Sequence, residues 1–163
     1  MTVLSSPTKN SSADESKFRE LSYKWSVSWD TRDLGVLLEI AAPQLTGDYR
    51  DFPAVNAVII CSPTEFFNYA MSPKGIGGKG MRTQHLLGAS MFTRTSPTEA
   101  KGNWQVRPWH TRTFKDGRKA EWDSSSFLEF TYVKIDGEWK IGGWRPHTVL
   151  ASVGTHEDIA GDY

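Results

Sequence analysis

The sequence excludes several protein classes by what it lacks. Its 163 residues contain one cysteine, Cys61, so no internal disulfide can form, which is typical of a reducing compartment. No stretch approaches the roughly 18 apolar residues of a membrane span. The 19 lysines and arginines balance the 19 acidic residues, so bulk charge indicates neither a nucleic-acid partner nor a membrane partner. Residues 1–10 lack the apolar core of a signal peptide, so we expect a cytoplasmic or otherwise intracellular protein.

Motifs of the commoner catalytic chemistries are also absent. No His-x-x-x-His or His-x-His pair provides metal-ligand spacing, and neither a serine-nucleophile motif nor a dinucleotide fingerprint occurs. The glycine-rich stretch 74–80 does not end in Gly-Lys-Ser/Thr. It follows a short helix that the start signal Ser62-Pro63-Thr64-Glu65 predicts, so we interpret it as a lid or connector rather than a phosphate loop. The chemistry left open is acid/base catalysis that needs no metal and no cofactor.

Aromatic residues are abundant, with seven Trp, eight Phe and five Tyr. Such a load suits a large apolar pocket, an ordinary sheet core or an oligomer interface. The pattern alone does not choose among these three.

The first third of the chain predicts two helices. Ser12 followed by Glu15 is typical of a capping box and predicts a helix that runs to about Asp30. Thr31 is predicted to cap a second helix, which Pro43 would end.

The second half predicts an antiparallel meander joined by Asp-Gly turns. Its four strands are expected at about 82–94, 101–115, 119–134 and 138–147. Pro108 within the second strand predicts a bulge or an edge position. Helices followed by a long meander predict an α+β fold, a curved antiparallel sheet with helices packed on its concave side.

One domain is expected for residues 13–163, after a disordered tail of residues 1–12. The segment after residue 147 is mixed in character and is expected to fold over the mouth of a pocket.

His85 and His110 are the candidate acid/base residues, because imidazole takes and gives protons near neutral pH. They are also compatible with two hydrogen-bonded core histidines. Asp30 is either a solvated helix-end carboxylate or a group that orients and charges a histidine. Tyr49 and Ser126 are either polar groups of the same cavity or ordinary packing residues. Such a set could remove a proton beside a ketone and help to expel hydroxide as water.

Five segments together resemble the scytalone dehydratases, fungal melanin-pathway enzymes of the SnoaL/NTF2-like cone fold. The segments are 23–30, 42–43 with 48–50, 82–85, 107–110 and 134–140, within a match that spans roughly residues 20–147. The resemblance implies a cofactor-free lyase that dehydrates and aromatises a reduced polyhydroxynaphthalene. It also implies a homotrimer and a C-terminal segment that closes the pocket.

By position, the resemblance assigns roles to all five candidates. His85 and His110 match the family's two histidines, and Asp30 matches their acidic partner. Tyr49 matches a tyrosine that activates the substrate carbonyl through water, and Ser126 matches the pocket serine.

Two positions depart from the family pattern. Trp29 stands where the family has a second tyrosine, and an indole N–H donates a hydrogen bond but cannot accept one. Leu128 stands where the family has an asparagine, which removes a substrate hydrogen bond. We expect both to line the substrate pocket with Phe52, Met71 and Trp109.

These observations predict a dehydratase-like lyase that acts on a different hydroxylated, polyketide-derived aromatic intermediate in fungal secondary metabolism. The same residues would serve an isomerase or a pericyclase-type cyclase on a polyketide or terpenoid intermediate. A non-catalytic NTF2-like ligand-binding or assembly module is the third alternative. The expected partners are a small-molecule substrate and further copies of the chain, with no nucleic acid and no membrane.

Overall fold

The computed structural model describes residues 11–52, 55–161 and 163. Most of the predicted disordered tail, residues 1–10, lies outside the described residues. Helices and strands follow one another in this order: α1 (Ser12–Asp30), α2 (Leu34–Ile40), β1 (Ala41–Asp48), β2 (Val58–Cys61), α3 (Pro63–Ala70), β3 (Met81–Ser96), β4 (Glu99–Thr113), β5 (Lys119–Ile135), β6 (Glu138–Val153) and α4 (His156–Ile159).

Helix α1 ends where the sequence predicts, but its N-cap is Ser11 rather than Ser12. The Ser11 hydroxyl accepts the Asp14 N–H at 3.1 Å, which satisfies one of the free donors of the first turn. Residues 11 and 12, which were expected to belong to the tail, therefore start the helix.

The predicted cap and end of the second helix are wrong. Thr31 closes α1, while the carboxylate of Asp33 caps α2 by accepting the Val36 N–H at 3.2 Å. Helix α2 ends at Ile40, and Pro43 belongs to β1. Proline is tolerated there because it falls where the β1–β6 pairing is irregular, so its missing N–H interrupts no regular ladder.

The predicted α+β fold is confirmed, with a six-stranded curved sheet in the order β2-β1-β6-β5-β4-β3. The sheet is mixed rather than wholly antiparallel, because β1 pairs with β6 in parallel. The other neighbours are antiparallel. Asp136 and Gly137 both adopt positive φ, 50° and 85°, as the predicted tight turn between β5 and β6 requires.

Pro108 produces neither the bulge nor the edge position predicted for β4. This strand lies between β3 and β5, and its register with β5 is the same on both sides of Arg107 and Pro108. The nearest irregularity lies on β3, between Leu87 and Ser90. Proline is accommodated because the β4–β5 pairs skip it, so no N–H is needed.

The main core forms where α1 crosses the concave face of the sheet. Phe18 stacks on Tyr132 with ring centroids 4.4 Å apart, and Trp25 meets Phe130 edge-on at 5.1 Å. Burying each such side chain stabilises the fold by about 1.5–3 kcal/mol. The inward face of β5 is buried throughout, as its alternation predicts: Trp122, Ser124, Ser126, Leu128, Phe130 and Tyr132.

The last strand and α4 bring the C-terminal segment back to the sheet. Ile159 is 1% exposed and packs in a second cluster with Phe52, Met81 and Trp122. In the described part of the chain, no helix has the length and apolar character needed to cross a bilayer.

Candidate active site

A cavity of about 470 Å³ opens beside the main core, between α1, α3 and the concave face of the sheet. Its size lies within the range usual for small-molecule sites. Most of its wall is aromatic or aliphatic. Seven of the ten predicted site residues line it: Trp29, Tyr49, Phe52, His85, His110, Ser126 and Leu128.

Asp30 and His85 form the charged pair of the site. The Asp30 carboxylate accepts the His85 Nδ1–H at 2.7 Å and the His85 backbone N–H at 2.9 Å. The Thr83 hydroxyl donates to the same carboxylate at 3.2 Å. Asp30 lies at the C-terminal end of α1 and outside the cavity wall. Because Asp30 holds the Nδ1 side of the His85 ring, the opposite side, with Nε2, faces the cavity. The carboxylate therefore fixes the orientation of the imidazole and the position of its Nδ1 proton.

His110 has a different partner and is more deeply buried. Its Nδ1–H donates to the Trp122 carbonyl at 3.2 Å, which leaves the lone pair on Nε2. Burial, together with the neighbouring His85, lowers the pKa of His110 from 6.5 to about 3. Its ring lies 5.5 Å from that of His85, measured between centroids. Asp30 makes no hydrogen bond to His110, so His85 is the one of the two histidines that it bonds.

Tyr49 follows β1 and places its phenol at the cavity. The Trp144 indole N–H donates to the Tyr49 oxygen at 2.7 Å, which leaves the phenolic hydrogen available to an acceptor. Burial raises the pKa of Tyr49 to about 12, against the opposing effect of this bond. The phenol therefore stays protonated and acts as a donor.

Four residues of the cavity wall carry buried polar atoms that have no hydrogen-bond partner among the described residues. They are Trp25 and Trp29, one turn apart on α1, and Ser124 and Ser126 on β5. An unpaired buried polar group costs about 1–3 kcal/mol, so such atoms are expected to pair with a ligand or with water.

The structure does not place Met71 or Trp109 in the cavity wall. Met71 caps the C-terminal end of α3 and packs against the main core. Trp109 points to the outer face of β4, where its indole N–H donates to Glu121 at 2.6 Å. The two-residue alternation of a strand explains this, because Pro108 and His110 face the cavity and the residue between them must face away.

Sequence reasoning did not assign several residues of the wall to the site, among them Trp122, Ser124 and His156. Trp122 and Ser124 share the inward face of β5 with Ser126, so alternation was a usable signal for both. His156 reaches the cavity only because the C-terminal segment folds back, which no local pattern indicates. Among the described residues, no group of three or more His, Cys, Asp or Glu side chains is arranged to hold a metal ion.

Comparison with known proteins identifies the family. The family described as scytalone dehydratase matches residues 12–159. The chain belongs to the scytalone dehydratase family. Scytalone dehydratase arp1 of Aspergillus fumigatus is 31% identical to it, over 86% of this chain and 84% of that protein. The scytalone dehydratase of Pyricularia oryzae is 34% identical, over 76% of this chain and 73% of its own length.

The fold is shared more widely than the family. A protein from Kribbella flavida superposes with a TM-score of 0.72 at 13% identity, and the match covers 88% of this chain and 95% of that one. At this identity the likeness shows the fold alone, the NTF2-like arrangement of a curved sheet and helices.

Proposed function

We propose that the protein is a cofactor-free dehydratase of fungal secondary metabolism, acting on a hydroxylated, polyketide-derived ketone that becomes aromatic when it loses water. The observation that carries the proposal is the Asp30–His85 pair at the wall of an aromatic-lined cavity of about 470 Å³. A flat fused-ring ketone suits such a wall, because aromatic side chains pack against its faces.

The reaction begins at the Nε2 atom of His85. This nitrogen takes a proton from the carbon next to the substrate carbonyl, and the C–H electron pair moves to form an enolate. The Asp30 carboxylate, whose Oδ1 lies 2.7 Å from Nδ1, stabilises the imidazolium that forms. General-base catalysis of this kind contributes about 10²–10⁴-fold to a rate.

The enolate oxygen is stabilised by Tyr49. Its phenol keeps its proton, because burial raises its pKa to about 12, and it donates to the oxyanion directly or through a water. The C–O bond at the β carbon then breaks, and His85 returns its proton to the departing hydroxide. The products are water and an unsaturated ketone that tautomerises to a phenol, and His85 is again neutral.

His110 serves this cycle as a neutral acceptor. Because its pKa is lowered to about 3, it is uncharged at working pH, and Nε2 accepts a hydrogen bond from the substrate's β-hydroxyl. The hydroxyl is thereby oriented toward His85, whose ring centroid lies 5.5 Å away. Of the two histidines, His85 is therefore the one that gains and loses a proton during the cycle.

The proposal is tested with scytalone, the compound named in the relatives' activity, by following formation of the aromatic product by absorbance. We expect turnover that His85→Ala lowers by about 10³-fold. His147→Ala is the matched control, since His147 bonds to Asn103 and Thr148 away from the cavity. Turnover that survives in His85→Ala would contradict the proposal.

No turnover of scytalone by folded protein would point to another substrate. A panel of hydroxylated naphthalenones and anthrones would then identify it. Isomerisation or cyclisation is distinguished by the product mass, because only dehydration removes 18 mass units, the mass of one water. The homotrimer implied by the resemblance stays a prediction, which light scattering of the purified protein would test.

A further inference from the structure

Helix α1 ends in a Schellman motif whose left-handed residue is an arginine. The Arg32 N–H donates to the Trp29 carbonyl at 3.3 Å, and the Asp33 N–H donates to the Ser28 carbonyl at 2.8 Å. Arg32 follows the C-cap and has a φ of 58°. Glycine is the usual residue there, because a Cβ makes this conformation costly. An arginine at this position indicates that its side chain makes a contact that glycine would lose.

The side chain of Arg32 joins the end of α1 to the start of β3. Its Nη2 donates at 2.8 Å to the carbonyl of Met81, the first residue of that strand. Arg32 itself is exposed, whereas this bond is partly buried. A hydrogen bond from a charged donor is stronger than one between neutral groups. Because His85 lies on the same strand, the bond fixes the helix end that carries Asp30 relative to His85.

Thr83 makes a second connection between the same two elements. Its hydroxyl donates to Oδ1 of Asp30 at 3.2 Å, and the same oxygen accepts the His85 Nδ1–H at 2.7 Å. Thr83 precedes His85 by two residues, so both side chains point to the same face of β3. Thr83 is not part of the cavity wall, so it acts on the reaction through Asp30 rather than on the substrate.

These two bonds limit the positions that the Asp30 carboxylate can take. Asp30 is the last residue of α1 and its side chain is 24% exposed, so water competes for the carboxylate oxygens. Reacting groups must be held within about 0.5 Å of their productive geometry. His85 becomes a cation only when it takes the substrate proton, so the carboxylate must already be in place at that moment.

Building on the proposed function, we propose that Thr83 and Arg32 are positioning residues that hold the Asp30 carboxylate against the His85 Nδ1–H. Thr83 fixes the carboxylate itself, and Arg32 fixes the helix end that carries it. Neither residue binds the substrate. Replacing either one should therefore lower kcat and leave KM nearly unchanged.

Thr83→Val removes the hydroxyl and keeps the shape of the side chain. With scytalone, or the substrate found in its place, we expect kcat to fall about tenfold through the lost hydrogen bond, with KM within about twofold. Thr83→Ser keeps the hydroxyl and should recover most of the wild-type kcat. Thr95→Val is the matched control, because Thr95 lies on the same strand, outside the cavity wall, and donates to the Glu99 carboxylate at 3.0 Å.

Arg32→Gly separates positioning from stability. Glycine adopts a positive φ freely, so relief of backbone strain offsets the lost bond, and Tm should change by less than about 3 °C. We nevertheless expect kcat to fall about fivefold, with KM within about twofold. Asp136→Gly is the matched control, because Asp136 also has a positive φ, 50°, in the turn between β5 and β6. Its replacement should leave kcat unchanged.

The pair is also observed without any substrate, by NMR of the His85 Nδ1–H in protein that carries isotope-labelled histidine. The bond to the carboxylate shifts this proton downfield and slows its exchange with water. His85→Gln identifies the signal. In Thr83→Val and Arg32→Gly we expect the signal to move upfield or to broaden through exchange. Thr83→Ser, Thr95→Val and Asp136→Gly should keep it as in the wild type.

The rate and the NMR signal distinguish failure of this proposal from failure of the proposed function. In Thr83→Val and Arg32→Gly, a change in only one of the two readouts, or in neither, would overturn the positioning role. A Thr83→Ser variant as slow as Thr83→Val would overturn it as well. A changed signal in a protein that dehydrates no naphthalenone or anthrone would uphold the positioning of Asp30 and overturn the proposed reaction.

Discussion

The two walls of the cavity give the same side chain different partners. On the α1–β3 wall, the His85 Nδ1–H donates to the Asp30 carboxylate at 2.7 Å. On the β4–β5 wall, His110 is bonded to a backbone carbonyl and is buried, which lowers its pKa to about 3. The partner of Nδ1 and the degree of burial, not the residue type, therefore distinguish the general base from the neutral acceptor.

Asp30→Asn tests the role of the Asp30–His85 pair and should have the largest effect. Asparagine can still accept the Nδ1–H of His85, but it no longer stabilises the imidazolium. We expect kcat to fall about 10²–10³-fold, with KM changed less than about threefold. An unchanged kcat in a folded variant would mean that the pair is structural. Asp33→Asn, at the α2 cap, is the matched control.

Tyr49→Phe tests the donor assigned to the enolate oxygen. We expect kcat to fall about 10–100-fold through loss of this hydrogen bond. The Trp144 N–H loses its acceptor as well, so the free energy of unfolding should fall by about 1 kcal/mol. Because burial raises the pKa of Tyr49 to about 12, the wild-type rate should show no loss from phenol ionisation up to about pH 10. A Phe variant with full kcat would exclude the role.

Because His110 is buried and neutral, we expect acid to lower the free energy of unfolding through this residue. Its pKa is about 6.5 when unfolded and about 3 when folded, so only the unfolded state gains a proton as pH falls below 6.5. This residue should therefore remove about 1.6 kcal/mol of stability between pH 6.5 and pH 5. Urea unfolding of His110→Gln should show that much less acid destabilisation.

The control for this measurement is His147→Gln, whose histidine is not buried in the core. It should keep the wild-type pH dependence. If His110→Gln were as acid-sensitive as the wild type, the neutral buried state of His110 would be wrong.

Trp109→Phe should have the smallest effect. The residue precedes His110 in sequence but faces the other side of β4, where it bonds to Glu121. We expect kcat and KM within about twofold of the wild type, since an exposed hydrogen bond contributes little. A tenfold loss of turnover would mean that the outer face of the sheet takes part in function.

Short-range sequence patterns, such as strand alternation and Asp-Gly turns, predicted much of the fold and of the candidate site. Alternation along β5 correctly buries Ser126 and Leu128, and the Asp-Gly signals locate the turns of the meander. Alternation also excludes Trp109 from the wall, although its proximity to His110 in sequence suggested a pocket role.

Short-range sequence patterns did not predict contacts between segments that are far apart in the chain. The parallel β1–β6 pair joins strands that are far apart in sequence. His156 enters the wall through long-range contacts of the C-terminal segment, namely the bonds from Arg112 and the packing of Ile159. The choice of Asp30 between the two histidines depends on where α1 ends relative to β3, which the positions of these residues in the chain do not specify.

The assignment of the first proton transfer to His85 is tested by hydrogen exchange at the α carbon of a tetralone that lacks the β-hydroxyl. The exchange is followed by NMR in deuterated water. This compound can be deprotonated but cannot lose water, so the readout isolates the first proton transfer. We predict that the wild type and His110→Gln catalyse exchange, whereas His85→Gln and the protein-free solution do not. Exchange that persists in His85→Gln and disappears in His110→Gln would contradict the assignment of the mobile proton to the Asp30–His85 pair.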